Sequence, residues 1–123
     1  MTVKTSTSFD LDAFRRGYEE WDIEALLGLY ADEVELIQID RDNPPSSPRV
    51  RRGKEVFKGM FEHCAAAGVK ATVENAVAGE GRAGATVTCE FPGGRKVTAN
   101  AALELRGGRI VRELDVASGD PKS

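Results

Sequence analysis

Apolar residues recur at three- and four-residue spacing along the first part of the chain and at strand-like spacing in the second half. Leu11, Phe14, Tyr18 and Trp21 form one stripe, which predicts a helix over Phe9 to Glu20 with Asp10 as its N-cap. Gly17 lies inside that helix, where it costs about 1 kcal/mol against alanine and marks a point of close packing. Asp22 restarts the pattern as a second N-cap, and Ile23, Leu26, Leu27 and Tyr30 carry a second helix to Ala31. Val34 to Asp40 reads as a strand, rich in Leu36, Ile37 and Ile39. Periodicity then stops: Arg41 to Arg51 holds three prolines and reads as a stiff, extended loop. Val56, Phe57, Met60, Phe61 and Cys64 trace the buried face of a third helix over Gly53 to Ala67. Four strands follow, over Val69 to Ala78, Ala85 to Phe91, Lys96 to Arg106 and Arg109 to Ala117. Gly79-Glu80-Gly81, Pro92-Gly93-Gly94 and Gly107-Gly108 are the turns between them.

Helices first and a meander of strands after is an α+β arrangement, not a βαβ repeat. The expected architecture is a cone-shaped roll. Three helices from the N-terminal half pack on the concave face of a curved mixed or antiparallel sheet and enclose a cavity. The domain is expected over residues 9–117, with a flexible segment 1–8, a polar tail 118–123, and the Pro-rich loop 40–52 at the pocket rim. Long loops of this kind often border binding sites. The convex sheet face, carrying Ile37 and Ile39, has enough apolar area to predict a homodimer through the sheets.

Composition narrows the partners. The 123 residues are 41% apolar and 30% charged with a net charge of −3, and Lys and Arg are scattered. Phosphate binding needs a basic patch, so nucleic acid is excluded as a partner. Residues 1–8 lack an apolar run, which argues against a leader or a membrane segment and leaves a cytoplasmic location as the expectation. Cys64 and Cys89 sit in different elements. They read as buried thiols, with a disulfide or a metal role as the alternative. His63 and Cys64 are adjacent on a helix and point about 100° apart, so they do not chelate one ion readily; no metal and no cofactor is expected. His63 lies toward the edge of the buried face and reads as solvated. The glycine pairs are turns, not phosphate loops.

The phrase Trp21-Asp22-Ile23-Glu24-Ala25-Leu26-Leu27-Gly28-Leu29-Tyr30-Ala31-Asp32-Glu33-Val34 resembles a stretch shared by SnoaL-like proteins of the nuclear-transport-factor-two-like superfamily. Arg52-Gly53-Lys54-Glu55-Val56 resembles the start of their third helix, and Leu105 to Val116 resembles their closing hairpin. The resemblance implies the cone fold. It also implies a small-molecule pocket, since this fold hosts cyclases, isomerases, epoxide hydrolases and non-catalytic binders.

The resemblance places Asp115 where SnoaL-like cyclases and limonene-epoxide-hydrolase-like enzymes keep an acid/base aspartate. A carboxyl deep in an apolar cone has a raised pKa, which suits proton transfer; the alternative is that Asp115 only ties neighbouring backbone together. Glu113 shares its strand face by alternation and can share a proton with it, unless a bulge turns Glu113 to solvent. A two-residue turn at Gly107-Gly108 puts Asn100 opposite Asp115, where an amide can orient a carboxylate or bind a carbonyl. Gln38 and Asp40 share a face of the first strand. Tyr18, Trp21, Tyr30, Phe57 and Phe61 are expected core or pocket-wall aromatics.

Resemblance to ketosteroid isomerase puts that family's base near Gln38, its oxyanion tyrosine near Phe14 and its protonated aspartate near Ala101. A glutamine cannot take a proton, and the other two side chains carry no polar group, so that chemistry is not expected. The epoxide hydrolase needs an Arg and a second Asp on the strand where this chain has Gly84, Ala85, Thr86, Val87 and Thr88. Two functions remain from the sequence. One is a cofactor-independent cyclase, isomerase or hydrolase using Asp115 on an apolar carbonyl compound. The other is a non-catalytic binding or dimerisation module.

Overall fold

The structure, a computed structural model, describes residues 8–121. The flexible segment expected at 1–8 therefore lies outside the described residues except for Ser8, as does the end of the tail, 122–123. Helices α1 (Leu11–Glu20), α2 (Ile23–Leu27) and α3 (Lys54–Ala66) pack against a six-stranded sheet that is not closed. Its strands are β1 (Tyr30–Ile39), β2 (Arg49–Arg52), β3 (Lys70–Gly79), β4 (Arg82–Glu90), β5 (Lys96–Arg106) and β6 (Arg109–Gly119), in spatial order β2-β1-β6-β5-β4-β3. β3 to β6 form the expected meander, while β1 runs parallel to β6 and makes the sheet mixed. No helix among the described residues is long and apolar enough to cross a membrane.

Local chemistry sets the helical half. Asp10 accepts a hydrogen bond from Ala13 N (2.9 Å) and Asp22 one from Ala25 N (3.1 Å), so both expected N-caps are formed. Between the helices Trp21 takes a left-handed conformation (φ 51°), which lets Asp22 N–H reach back to Gly17 O at 2.9 Å. The close packing expected at Gly17 is against a side chain. A Cβ there would sit 2.6 Å from Leu26 Cγ, and Leu26 is fully buried.

The core is an aromatic chain. Phe14 packs edge-on against Tyr18 (5.1 Å between centroids), Tyr18 edge-on against Phe61 (5.5 Å), and Phe57 against Tyr30 (4.2 Å). Val73 and Ala71 of β3, Ala85 and Val87 of β4, and Ala101 and Leu103 of β5 close over it from the sheet.

The structure corrects several boundaries. Helix α2 ends at Leu27, and Tyr30 opens β1 four residues before the strand predicted from Val34. Tertiary pairing overrides the helical stripe: Ile110 N–H bonds Leu29 O (2.8 Å) and Tyr30 faces Ile110 across the ladder. Within the expected loop, Arg49–Arg52 forms the edge strand β2 on β1. Its four residues are charged but for Val50, a pattern suited to an edge and invisible to hydrophobic periodicity. Ser118 and Gly119, expected in the tail, complete β6.

The register of β5 on β6 also differs from the expected one. Arg106 pairs Arg109 and Leu105 pairs Ile110 around Gly107 (φ 61°) and Gly108 (φ 78°), as a two-residue turn requires. Glu104 then pairs Arg112, so Val111 is an extra residue on β6. From there on the pairing is shifted by one. Ala101, not Asn100, stands opposite Asp115, and Asn100 pairs Val116.

Filling the space at Gly17 should cost stability. Gly17→Ala gains about 1 kcal/mol of helix propensity but drives a methyl into Leu26, and overpacking of this kind costs about 1–3 kcal/mol. Urea unfolding is expected to show a net loss for Gly17→Ala, whereas Gly59→Ala, where an added Cβ meets nothing within 4 Å, is expected to be stabilising.

Candidate functional site

The bulge at Val111 decides which residues of β6 face inward. After it, Glu113, Asp115 and Ala117 lie on the helix side of the sheet, with Arg112, Leu114 and Val116 on the outside. The bulge precedes Glu113 and so does not turn it to solvent: Glu113 is 2% exposed. Tyr30, fully buried, donates its hydroxyl to Glu113 Oε1 at 2.9 Å. Glu113, Asp115 and Ala117 line a cavity of about 160 Å³. That is below the ~300–1,000 Å³ of sites for drug-sized ligands and suits a compact one- or two-ring molecule.

Tyr18, Trp21, Phe61, Met60 and Cys64 form the helical wall of this cavity. Val87, Cys89, Val97, Ala99 and Ala101 form the sheet wall, with Gln38, Ile39 and Asp40 at the end of β1. An open cleft lined by Arg41, Arg95 and Asp120 shares Asp40, Val97 and Ala117 with the cavity and forms its mouth. Trp21 is fixed by an Nε1–H bond to Val69 O (2.7 Å). Small side chains at Ala99, Ala101 and Ala117 leave the space that larger residues would fill.

The two carboxyls shift each other's titration in opposite directions. Burial raises the Glu113 carboxyl well above its ordinary range, and the Asp115 charge and a hydrogen bond to Asp115 raise it further. Glu113 is therefore the protonated partner. Burial pushes Asp115 up to about 6, against which the Glu113 hydrogen bond acts downward. Asp115 Oδ1 is buried and has no hydrogen-bond partner among the described residues. Burial and the two carboxyls raise both Tyr18 and Tyr30 well above the usual phenol range, so both remain hydroxyl donors. Burial also raises the Cys64 and Cys89 thiols, Cys89 to about 11; they are unlinked and protonated near neutrality. His63 is exposed on α3.

The remaining predicted residues sort by geometry. Gln38 lines the cavity beside Asp115, its register partner across the parallel β1–β6 pair. Asp40 borders the cavity at its mouth, where its carboxyl is occupied by Asp42 N, Asn43 N and Asn43 Nδ2 at 2.9–3.0 Å. Tyr30 and Phe57 lie behind the wall, in the core. Asn100 is brought to the outer face by the register shift and accepts from Thr86 Oγ1 at 2.8 Å. Ile39 pairs Val116 and lies with Ile37 on the outer face, as expected, while it also borders the end of the cavity. Unforeseen in the sequence was Arg51, whose Nη2 donates to Gln38 Oε1 at 2.6 Å and approaches Met60 Sδ at 3.8 Å. It sits in the strand that hydrophobic periodicity could not find.

Comparison with known proteins follows the same lines. No curated protein matches the chain. Among solved structures, an NTF2-like protein of unknown function from Mesorhizobium loti superposes with a TM-score of 0.70 at 19% identity, over 87% of this chain and 86% of that one. A candidate ketosteroid isomerase from Kribbella flavida gives 0.69 at 16% identity, over 92% and 76%. A candidate polyketide cyclase from Pseudomonas putida gives 0.61 at 20% identity, over 85% and 86%. At these identities the likeness is one of fold. The SnoaL-like domain profile matches residues 11–113, and the chain is thus a member of the SnoaL-like domain family.

Proposed function

We propose that the cavity binds a small, largely apolar carbonyl compound and that Asp115 moves its α-proton, as an isomerase or cyclase of this fold would. The observation that carries this reading is the Glu113–Asp115 pair, with Oδ1 of Asp115 left unpartnered at the cavity wall. A carboxyl tied up structurally would have its lone pairs filled. In the step itself, the Asp115 carboxylate takes the proton from the carbon next to the carbonyl. The C–H electron pair becomes a C=C bond and the carbonyl π pair moves to oxygen, giving an enolate. Returning the proton at another carbon isomerises the substrate; attack of the enolate carbon on a second carbonyl of the same molecule cyclises it. Neutral Glu113, steadied by Tyr30, supports the Asp115 carboxylate by hydrogen bonding without adding a second charge. Val87, Val97, Ala99, Ala101 and Ala117 give that end of the cavity an apolar wall for the substrate's ring.

1-Indanone is a suitable probe, a compact ketone with an exchangeable α-hydrogen. Wild-type protein in D2O should accelerate deuterium uptake at its α-carbon, with kcat/KM rising through a midpoint near 6 as Asp115 ionises. Asp115→Asn should lose about 100-fold or more of that rate. Full exchange by Asp115→Asn, read by NMR, would refute the assignment.

The same pair sets a pH dependence of stability. Both carboxyls bind protons more tightly folded than unfolded, so stability falls as pH rises, for Asp115 between about pH 4 and 6 and for Glu113 as pH rises above the ordinary glutamate range. The Tm of the wild type is expected to decline from pH 5 to pH 7.5, and the decline to be shallower in Asp115→Asn.

The homodimer expected from the sequence is proposed through the outer sheet face. The register aligns Val50, Ile37, Leu114, Ala102, Gly84 and Val77 in one apolar row across all six strands. Val50 is 50% and Val77 65% exposed, with Val116 beside them at 47%. Light scattering is expected to give a dimer mass for the wild type and a monomer for Leu114→Arg, with unchanged circular dichroism. A monomeric wild type at micromolar concentration would overturn the proposal.

A further inference from the structure

Among the described residues Gln38 is the one side-chain amide that lines the cavity, and its position is set by two strands. Across the parallel pair it stands beside Asp115, both side chains on the cavity side of the sheet. From the other side, β2 brings Arg51 to its carbonyl oxygen at 2.6 Å. A guanidinium has donors and no acceptor, so the amide atom facing it must be Oε1. That contact settles which way the amide is turned. Nε2 points away from the arginine and donates to no other described residue. Arg51 has no carboxylate within ion-pair distance among the described residues, and its further contact is to Met60 Sδ, itself a cavity residue. Its Nη2 is thus engaged by the amide, while its Nε is buried without a hydrogen-bond partner among the described residues.

We propose that Gln38 binds the substrate's carbonyl oxygen through Nε2–H and that Arg51 is the positioning residue that holds the amide in the donating orientation. The proposal rests on the proton-transfer reading of Asp115 and names what that reading lacks, a donor for the oxygen on which enolate charge collects. A neutral amide stabilises that oxygen by hydrogen bonding and is retained in the product complex without trapping an ion. The charge on Arg51 polarises the amide and strengthens its N–H as a donor. Substrate class follows: a compact ketone or aldehyde whose carbonyl lies toward the β1 end of the cavity and whose α-carbon lies toward Asp115.

The test uses 1-indanone labelled with carbon-13 at the carbonyl, and indane, the same skeleton without the oxygen. Binding of each is followed by quenching of Trp21, the only tryptophan and a cavity-wall residue. Gln38→Met should weaken 1-indanone about five- to tenfold and leave indane unchanged. The carbonyl carbon resonance of bound 1-indanone should lie downfield of the free ketone in the wild type and return toward the free value in Gln38→Met. Arg51→Met should move both readouts in the same direction, and Arg51→Lys, which still donates to Oε1, should restore them. Equal losses for indanone and indane, or a carbonyl resonance unmoved in Gln38→Met and Arg51→Met, would overturn the proposal. If Asp115→Asn abolishes deuterium exchange while the resonance ignores Gln38, the base assignment stands and the Gln38 role falls. If neither probe binds wild-type protein, both fall together.

Discussion

The parallel pairing of β1 with β6 is the constraint from which the site follows. It joins the end of the helical segment to the last strand, so that Tyr30 at the start of β1 lies opposite Ile110 and Gln38 near its end lies opposite Asp115. The ladder shifts between Tyr30 and Glu35, and β6 spends its extra residue Val111 in the same region. Two irregularities at one level of the sheet reset the faces of both strands. Above them every inward position of β6 serves the cavity or its carboxyls.

That placement explains how a protein of this size tolerates a buried carboxyl pair. An ionised carboxylate in apolar surroundings is expensive, and neutralisation is the usual escape. Glu113 takes it, protonated by burial and by its neighbour, with Tyr30 filling Oε1. Asp115, nearer the mouth, remains ionisable at a pKa of about 6. One carboxyl anchors the pair while the other is available, and the difference between them is environment alone. The aromatic chain from Phe14 to Phe57 holds the helical wall at the distance the cavity needs.

The outer face has a different character. Thr86, Asn100 and Asn75 form a hydrogen-bonded ladder, and Arg112 bridges Glu35 and Glu104. Exposed ion pairs of this kind are worth little for stability. They leave the apolar row from Val50 to Val77 as the feature there that water does not satisfy. Asn100 belongs to this face because one residue of bulge moved it, and the amide beside Asp115 is that of Gln38 on the neighbouring strand.

Helix caps, turns and apolar stripes are local, and the sequence alone placed them: Asp10 and Asp22, the Gly107-Gly108 turn, the buried face of α3, and an aspartate on the last strand. Alternation was enough to put Glu113 with Asp115. Register is not local. The extra residue at Val111 and the conversion of Tyr30 from helix to strand depend on which chain lies alongside, and the charged edge strand with Arg51 had no periodic signal of its own. Residue types and most of the elements were therefore determined by the sequence. Which amide meets the aspartate, and which arginine turns it, was decided only when β1, β2 and β6 came together.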